Sequence, residues 1–212
     1  QAVNCLNNMK QWGLAFKMYA DDNDDRVPEE GNTVATINDA NSGNLNEAWY
    51  NSVSKYVKQS SMVELYTANP PNPPLPSSRS LYSCTSAKPP KTPPDLNKAF
   101  FMYGMNGRLC VNRATRAGGQ TKFGTILKPS DTILMAEADG NNPTAGAAQS
   151  NVTGQYAVGR HDQRGNFALC DGSARAARTN EFIRTTSESN NASDEWKTER
   201  KLYWYPSPTT SN

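Results

Sequence analysis

Residues 2–20 read Ala2-Val3-Asn4-Cys5-Leu6-Asn7-Asn8-Met9-Lys10-Gln11-Trp12-Gly13-Leu14-Ala15-Phe16-Lys17-Met18-Tyr19-Ala20. Val3, Leu6, Met9, Gly13, Phe16 and Ala20 recur at helical spacing, and Ala2, Cys5, Trp12 and Tyr19 widen the stripe. Asn4, Asn7, Asn8, Lys10, Gln11 and Lys17 fill much of the rest, so the segment is an amphipathic helix needing a partner for one face. It runs out in Asp21-Asp22-Asn23-Asp24-Asp25, with Pro28 beyond. No Ser, Thr, Asp or Asn precedes Val3 as an N-cap, so the helix is open at that end. The chain starts at Gln1 inside this pattern, which leads us to expect that a preceding segment has been removed.

Downstream, Leu45, Ala48, Trp49, Val53, Tyr56 and Val57 predict a second helix near 45–58, after a Gly/Asn-rich loop over 31–44. Residues 66–97 hold nine of the 14 prolines and read as a long irregular loop, because proline removes a backbone donor and fixes φ. Cys84 inside it suggests a loop tied down. From 99 to 178 the pattern is β. Ala99–Met105, Phe123–Leu127, Thr132–Ala138, Tyr156–Arg160, Asn166–Cys170 and Ser173–Arg178 are the expected strands. Asp162-Gln163-Arg164-Gly165 turns the chain once. Asp171-Gly172 reads as a two-residue type I′ hairpin turn. Residues 180–205 predict a short helix or strand, with Tyr203, Trp204 and Tyr205 covering the core edge. Helices before a run of strands make an α+β fold. We expect one domain over 1–212, its N-terminal helix laid on one face of an antiparallel sheet.

Composition narrows the function. A chain of 212 residues buries about 70% of its unfolded surface by size scaling, enough for one core. Yet only 36% of it is hydrophobic, and the balance is neutral polar rather than charged. No apolar run approaches the roughly 18 residues of a membrane span. A net charge of +2 without like-charge blocks argues against nucleic acid as a partner and against disorder.

The four cysteines, Cys5, Cys84, Cys110 and Cys170, lie far apart, with no C-x-x-C pair and no histidine but His161, so zinc is not expected. Their even number in an Asn/Thr/Pro-rich chain suits two disulfides in an oxidising compartment, in any of three pairings, with one bridge or free buried thiols as the alternatives. Asp21, Asn23 and Asp25 share the first spacings of a calcium loop, but Arg26 and Asn32 replace its required Gly and Glu. A calcium site there is therefore weighed and set aside in favour of a solvated turn. Lys17 or Arg26 should offset those carboxylates at the negative end of the helix dipole. His161 is the obvious acid–base candidate, with Asp131, Asp139, Asp162 or Asp171 as orienting carboxylates. No nucleophile motif accompanies it. The preferred reading of His161, Asp171 and Gly172 is structural: hydrogen bonds from the first two fix the strand meander and Gly172 supplies positive φ. No enzyme activity and no cofactor are expected.

Two segments resemble a known family. Cys5–Ala15 followed by Tyr19–Asp24 is similar to the soluble half of the N-terminal helix of bacterial pilin-like and pseudopilin proteins. His161, nine residues, then Asp171-Gly172 resembles the H-x9-DG element of the prepilin-type processing-associated proteins. The resemblance covers about a quarter of the chain. It implies a pilin-like fold and a prepilin leader with a methylated cleavage site. It also implies an apolar helical half in the inner membrane and an extracytoplasmic head. The partners it implies are other pilin or pseudopilin subunits in a type II secretion or type IV pilus-like filament. It favours pairing Cys5 with Cys84 and Cys110 with Cys170. Two competing functions stay in view. One is a secreted glycan- or protein-binding module using Trp12, Trp49, Trp196 and Trp204. The other is a hydrolase built on His161.

Overall fold

In the computed structural model, which describes residues 2–31, 37, 48–110, 120–142 and 150–211, the opening stripe becomes one helix, α1, Ala2–Asp22. It buries Cys5, Met9, Trp12, Gly13, Ala15, Phe16, Tyr19 and Ala20. The acidic run closes it. Asp24 and Asp25 take φ of 54° and 60°, and the backbone N–H groups of Asn23 and Asp25 both donate to the Ala20 carbonyl. The Asn23 side-chain amide donates to the Tyr19 carbonyl. Asparagine and aspartate tolerate left-handed backbone, which is why the helix can end here without glycine.

Beneath α1 lies a five-stranded mixed sheet in the order β3-β1-β2-β4-β5. The strands are β1 (Tyr103–Asn106), β2 (Ile133–Glu137), β3 (Asn151–Val152), β4 (Arg164–Leu169) and β5 (Ala174–Arg178). The β1–β2, β2–β4 and β4–β5 pairs are antiparallel, and β3 joins β1 in parallel. The fold is thus α+β, and the expected antiparallel sheet is corrected to a mixed one. A two-residue strand is too short to carry any alternation, so the sequence offered no sign of β3.

Side-chain alternation splits the sheet between two apolar layers. Tyr103, Met105, Ala168 and Cys170 join α1. Ile133, Ala136, Phe167, Leu169 and Ala177 face the other way, onto Phe182, Leu202 and Trp204. A register shift between Ile133 and Met135 lets consecutive Leu134 and Met135 both join the α1 layer. The C-terminal segment therefore covers a whole second face of the sheet rather than the core edge. It does so with three short helices, α4 (Thr179–Phe182), α5 (Thr186–Asn190) and α6 (Ala192–Glu195). A buried ion pair organises it. Arg184 Nε donates to Glu195 Oε1 at 2.8 Å, and Glu195 also accepts the backbone N–H groups of Trp204 and Tyr205.

On the α1 side an aromatic cluster joins helix, loop and sheet. Trp12 meets Trp49 edge-on at 5.3 Å and Tyr82 at 5.0 Å, and Trp49 packs on Phe101 at 6.0 Å. The proline-rich stretch is irregular, as its composition requires, but its segment 81–84 is buried. Trp12 Nε1 donates to the Leu81 carbonyl, and the Asn8 amide and Tyr103 hydroxyl donate to that of Ser83.

Four local expectations change. The helix over 45–58 is reduced to α2 (Trp49–Ser52) and a 3-10 turn, Ser54–Val57, ended by Lys58 at φ 53°; residues 45–47 lie outside the described residues. Phe123–Thr125 is a 3-10 turn and not a strand. Tyr156–Arg160 is turn and extended chain. The type I′ turn falls at the first hairpin and not at the second. Type I′ needs positive φ at both central residues, and it is Asp162 and Gln163 that have it, at 53° and 57°, between mutually bonded His161 and Arg164. At Asp171-Gly172 only the glycine has positive φ, 87°, and the loop closes through Leu169 N–H to the Ser173 carbonyl.

One short helix went unforeseen. In α3 (Met62–Thr67) the Ser61 hydroxyl accepts from Glu64 N–H while the Glu64 carboxylate accepts from Ser61 N–H. Ser-x-x-Glu ahead of an apolar stretch is the sequence mark of that box.

Candidate functional site

Four polar side chains from four separate segments meet under the first turns of α1. Cys5 comes from the helix, Cys84 from the proline-rich loop, Glu137 from the end of β2 and His161 from the turn before β4. Their ligand atoms all lie within 4.8 Å of one another. Cys5 and Cys84 Sγ are 2.6 Å apart. Cys84 Sγ is 3.7 Å from Glu137 Oε1 and 3.8 Å from His161 Nε2, and those last two atoms are 2.8 Å apart. The Glu137 side chain is fully buried and that of His161 is 8% exposed.

The sheet register explains why Glu137 faces this way. Ala136 pairs with Phe167, so the next residues, Glu137 and Asn166, oppose each other on the α1 side. Asn166 donates to Glu137 twice, from its backbone N–H to Oε2 and from its amide to Oε1. The type I′ turn then carries His161 back over the end of β2. Next to it, the Arg160 guanidinium donates to the carbonyls of Met102 and Ala138.

These contacts shift protonation in definite directions. The Cys84 thiol donating to sulfur lowers the Cys5 pKa, and Cys84, which must keep that proton and is buried, is raised. The hydrogen bond to Glu137 raises His161, against the effect of burial. Two thiols, an imidazole and a carboxylate converging in one buried spot can ligate a soft divalent metal or undergo thiol oxidation. Cys5 and Cys84 are 1% and 0% exposed, so their sulfurs present almost no surface to a substrate-sized molecule.

All four cysteines are free thiols in this structure. Cys5 and Cys84 are brought together, whereas the bridge expected between Cys110 and Cys170 is not formed. Cys110 ends a 3-10 turn after β1, and Cys170 follows β4 fully buried, its thiol pKa pushed up by desolvation.

The elements of the H-x9-DG pattern part company. His161 and Asp171 lie at opposite ends of β4, and each makes its hydrogen bonds there, His161 to Glu137 of β2 and Asp171 in the β4–β5 turn. The Asp171 backbone N–H donates to the Pro129 carbonyl and its carboxylate accepts from Ser173 N–H. Gly172 touches α1: a Cβ built on Gly13 would lie 3.0 Å from the Gly172 carbonyl oxygen. The two ends of β4 therefore lie near different parts of the helix, one within reach of Cys5 and the other against Gly13.

The residues weighed for calcium make these contacts. Asp25 accepts from Gly124 N–H, and the Asn23 amide is spent on α1; Asp21 is exposed. Lys17 and Arg26 are not held by those carboxylates: Lys17 lies over the Phe123 ring and Arg26 donates to the Gln120 carbonyl. Trp12, Trp49 and Trp204 are fully buried, and Trp196 stacks on Tyr203 at 4.1 Å, so they form no sugar-binding groove.

Sequence reasoning missed Glu137 and Asn166. The available signal was a carboxylate within the apolar run Ile133-Leu134-Met135-Ala136-Glu137-Ala138, where a charge is costly unless something receives it. Among the described residues no helix is long and apolar enough to cross a membrane. Comparisons with protein-family models, curated proteins and solved structures find no match to this chain.

Proposed function

We propose that this chain is the extracytoplasmic head of a non-catalytic pilin-like or pseudopilin subunit in a type II secretion or type IV pilus-like filament. The observation that carries the reading is the outer side of α1. While one face is sealed against the sheet, Val3, Leu14 and Met18 stand 77%, 57% and 42% exposed on the other. Apolar side chains held outward on a rigid helix suit packing against the same helix of neighbouring subunits. The proposed partners are therefore sister subunits, in a head-to-tail helical assembly. The reading also requires an apolar segment continuous with α1 to anchor each subunit in the inner membrane.

The competing reading, a glycan-binding module, loses ground because the tryptophans it would use are spent on packing. A photo-crosslinking residue at position 14, in the full-length protein in its own cells, tests the proposal. Crosslinked multimers through that position are expected, with none from the same residue at exposed Lys201 on the far side. Monomer alone from both positions would sink the filament reading.

A further inference from the structure

We propose that Cys5, Cys84, Glu137 and His161 form a structural zinc site that staples α1 to the sheet. This is independent of the filament reading. The ligand types are those that zinc takes, and four of them at one point is the number a closed structural site uses.

The geometry fits part of the way as it stands. With Zn–S near 2.3 Å and Zn–N or Zn–O near 2.0–2.1 Å, a tetrahedral site puts sulfur about 3.5 Å from nitrogen or oxygen. Cys84 Sγ lies 3.7 Å from Glu137 Oε1 and 3.8 Å from His161 Nε2. Of the two shorter edges, His161–Glu137 at 2.8 Å is a hydrogen bond that shares a proton, and Cys5–Cys84 at 2.6 Å is a close sulfur–sulfur approach that must open by more than 1 Å. An entering ion displaces protons, and the edges open to about 3.4 and 3.8 Å.

The surroundings are also those of a ligand set. Asn166 holds both Glu137 oxygens from behind, as outer partners hold ligating carboxylates. A dication with two thiolates and one carboxylate leaves a single negative charge, and the adjacent Arg160 guanidinium, whose field acts on Cys84, offsets it. A cleft of about 420 Å³ lined by Asn8, Leu81, Ser83 and Thr85 reaches Cys5 and gives a way in. A disulfide between the cysteines would use the two sulfurs alone. It would give no role to a buried carboxylate and imidazole aimed at the same point.

The test uses the whole 212-residue chain, reduced and stripped of metal, then offered Zn²⁺ or Co²⁺. One zinc per chain should survive gel filtration. The cobalt form should show a thiolate-to-metal charge-transfer band with tetrahedral visible bands. Zinc should shield Cys5 and Cys84 from alkylation while leaving the reactivity of Cys110 and Cys170 in the same sample unchanged. Cys84→Ser should abolish the charge-transfer signal of a two-thiolate site, and Asn166→Ala should weaken zinc binding about 10–100-fold. Should those variants fail to fold, the cobalt spectrum and the shielding pattern of the unaltered chain still decide. Failure of the reduced chain to retain zinc overturns the proposal. So does finding Cys5 bridged to Cys84, without zinc, in protein isolated from its own cells.

Discussion

Gly13 on α1 and Gly172 in the β4–β5 turn approach so closely that a methyl group on the first would sit 3.0 Å from the carbonyl oxygen of the second. By helix propensity alone Gly13→Ala should stabilise by about 1 kcal/mol. The clash is with backbone, which yields little, and overpacking of this kind costs about 1–3 kcal/mol. We expect a net loss of up to about 2 kcal/mol in urea unfolding. Gly172→Ala meets only Lys17 at 3.3 Å but sits at φ 87°, and its expected cost is about 1–3 kcal/mol of backbone strain. A stabilised Gly13→Ala protein would show that the helix does not need this approach.

Glu195 is a fully buried carboxylate receiving Arg184 and two backbone N–H groups. Replacing it with alanine leaves the Arg184 charge buried without its partner. The expected loss is about 3–5 kcal/mol in denaturant unfolding. The pair Arg184→Met with Glu195→Leu should cost clearly less than Glu195→Ala alone, since no lone charge is left inside. Equal losses would place the energy in packing instead of charge.

Asn106 is a hinge between the two faces of the sheet. Its amide donates at 2.7 Å to the carbonyls of both Ile133 and Trp204, and its oxygen accepts from Arg108 N–H. Asn106→Leu strands two buried acceptors at about 1–3 kcal/mol each. Loss of near-ultraviolet circular dichroism from the Trp204 side should accompany a lowered unfolding midpoint.

Acid should loosen the C-terminal layer first. Lys201 and the Arg178 N–H hold Glu181 below its ordinary pKa, and Lys197 and the Ser187 hydroxyl do the same for Asp194. Burial works against Glu188, but Thr185 and Arg200 outweigh it and hold it low too. Groups with lowered folded pKa values contribute stability that is complete above the unfolded carboxylate range, near 4, and lost as pH falls through the folded values. The share of the unfolding free energy that these three carboxylates contribute should therefore be flat from pH 7 to about 5 and decline below about 4. Glu188→Gln should flatten part of that decline; an unchanged slope would assign it to other carboxylates.

Much of the frame was legible in the sequence because it is written in periodic apolar patterns. The stripe from Val3 to Ala20 became α1, although Val3 itself stands exposed and the buried face starts at Cys5; the run at Ile133 became β2, and the segments around Phe167 and Ala176 became β4 and β5. What escaped was set by long-range register. Cys5, Cys84, Glu137 and His161 carry no local spacing in common. They meet because β2 pairs with β4 and the helix crosses both, so a search for C-x-x-C pairs passes over them. The turns were misassigned for a related reason. Asp-Gly is a strong local signal for type I′, yet here the loop closes with an extra residue, and the less obvious Asp162-Gln163 takes the type I′ shape.

The two attachments of α1, at His161 and at Gly172, also bear on how the chain is made. Within this sequence α1 precedes β4, one of the strands it packs on, by about 150 residues. At 5–20 residues per second that is a wait of roughly 8–30 s. Until then only the β1 and β2 side chains Tyr103, Met105, Leu134 and Met135 supply sheet to the layer under α1, and the contacts that complete it are among the most distant in the sequence. Nascent chains shortened before residue 161 should therefore expose α1 to proteases or to a chaperone, and protection should arrive abruptly with β4.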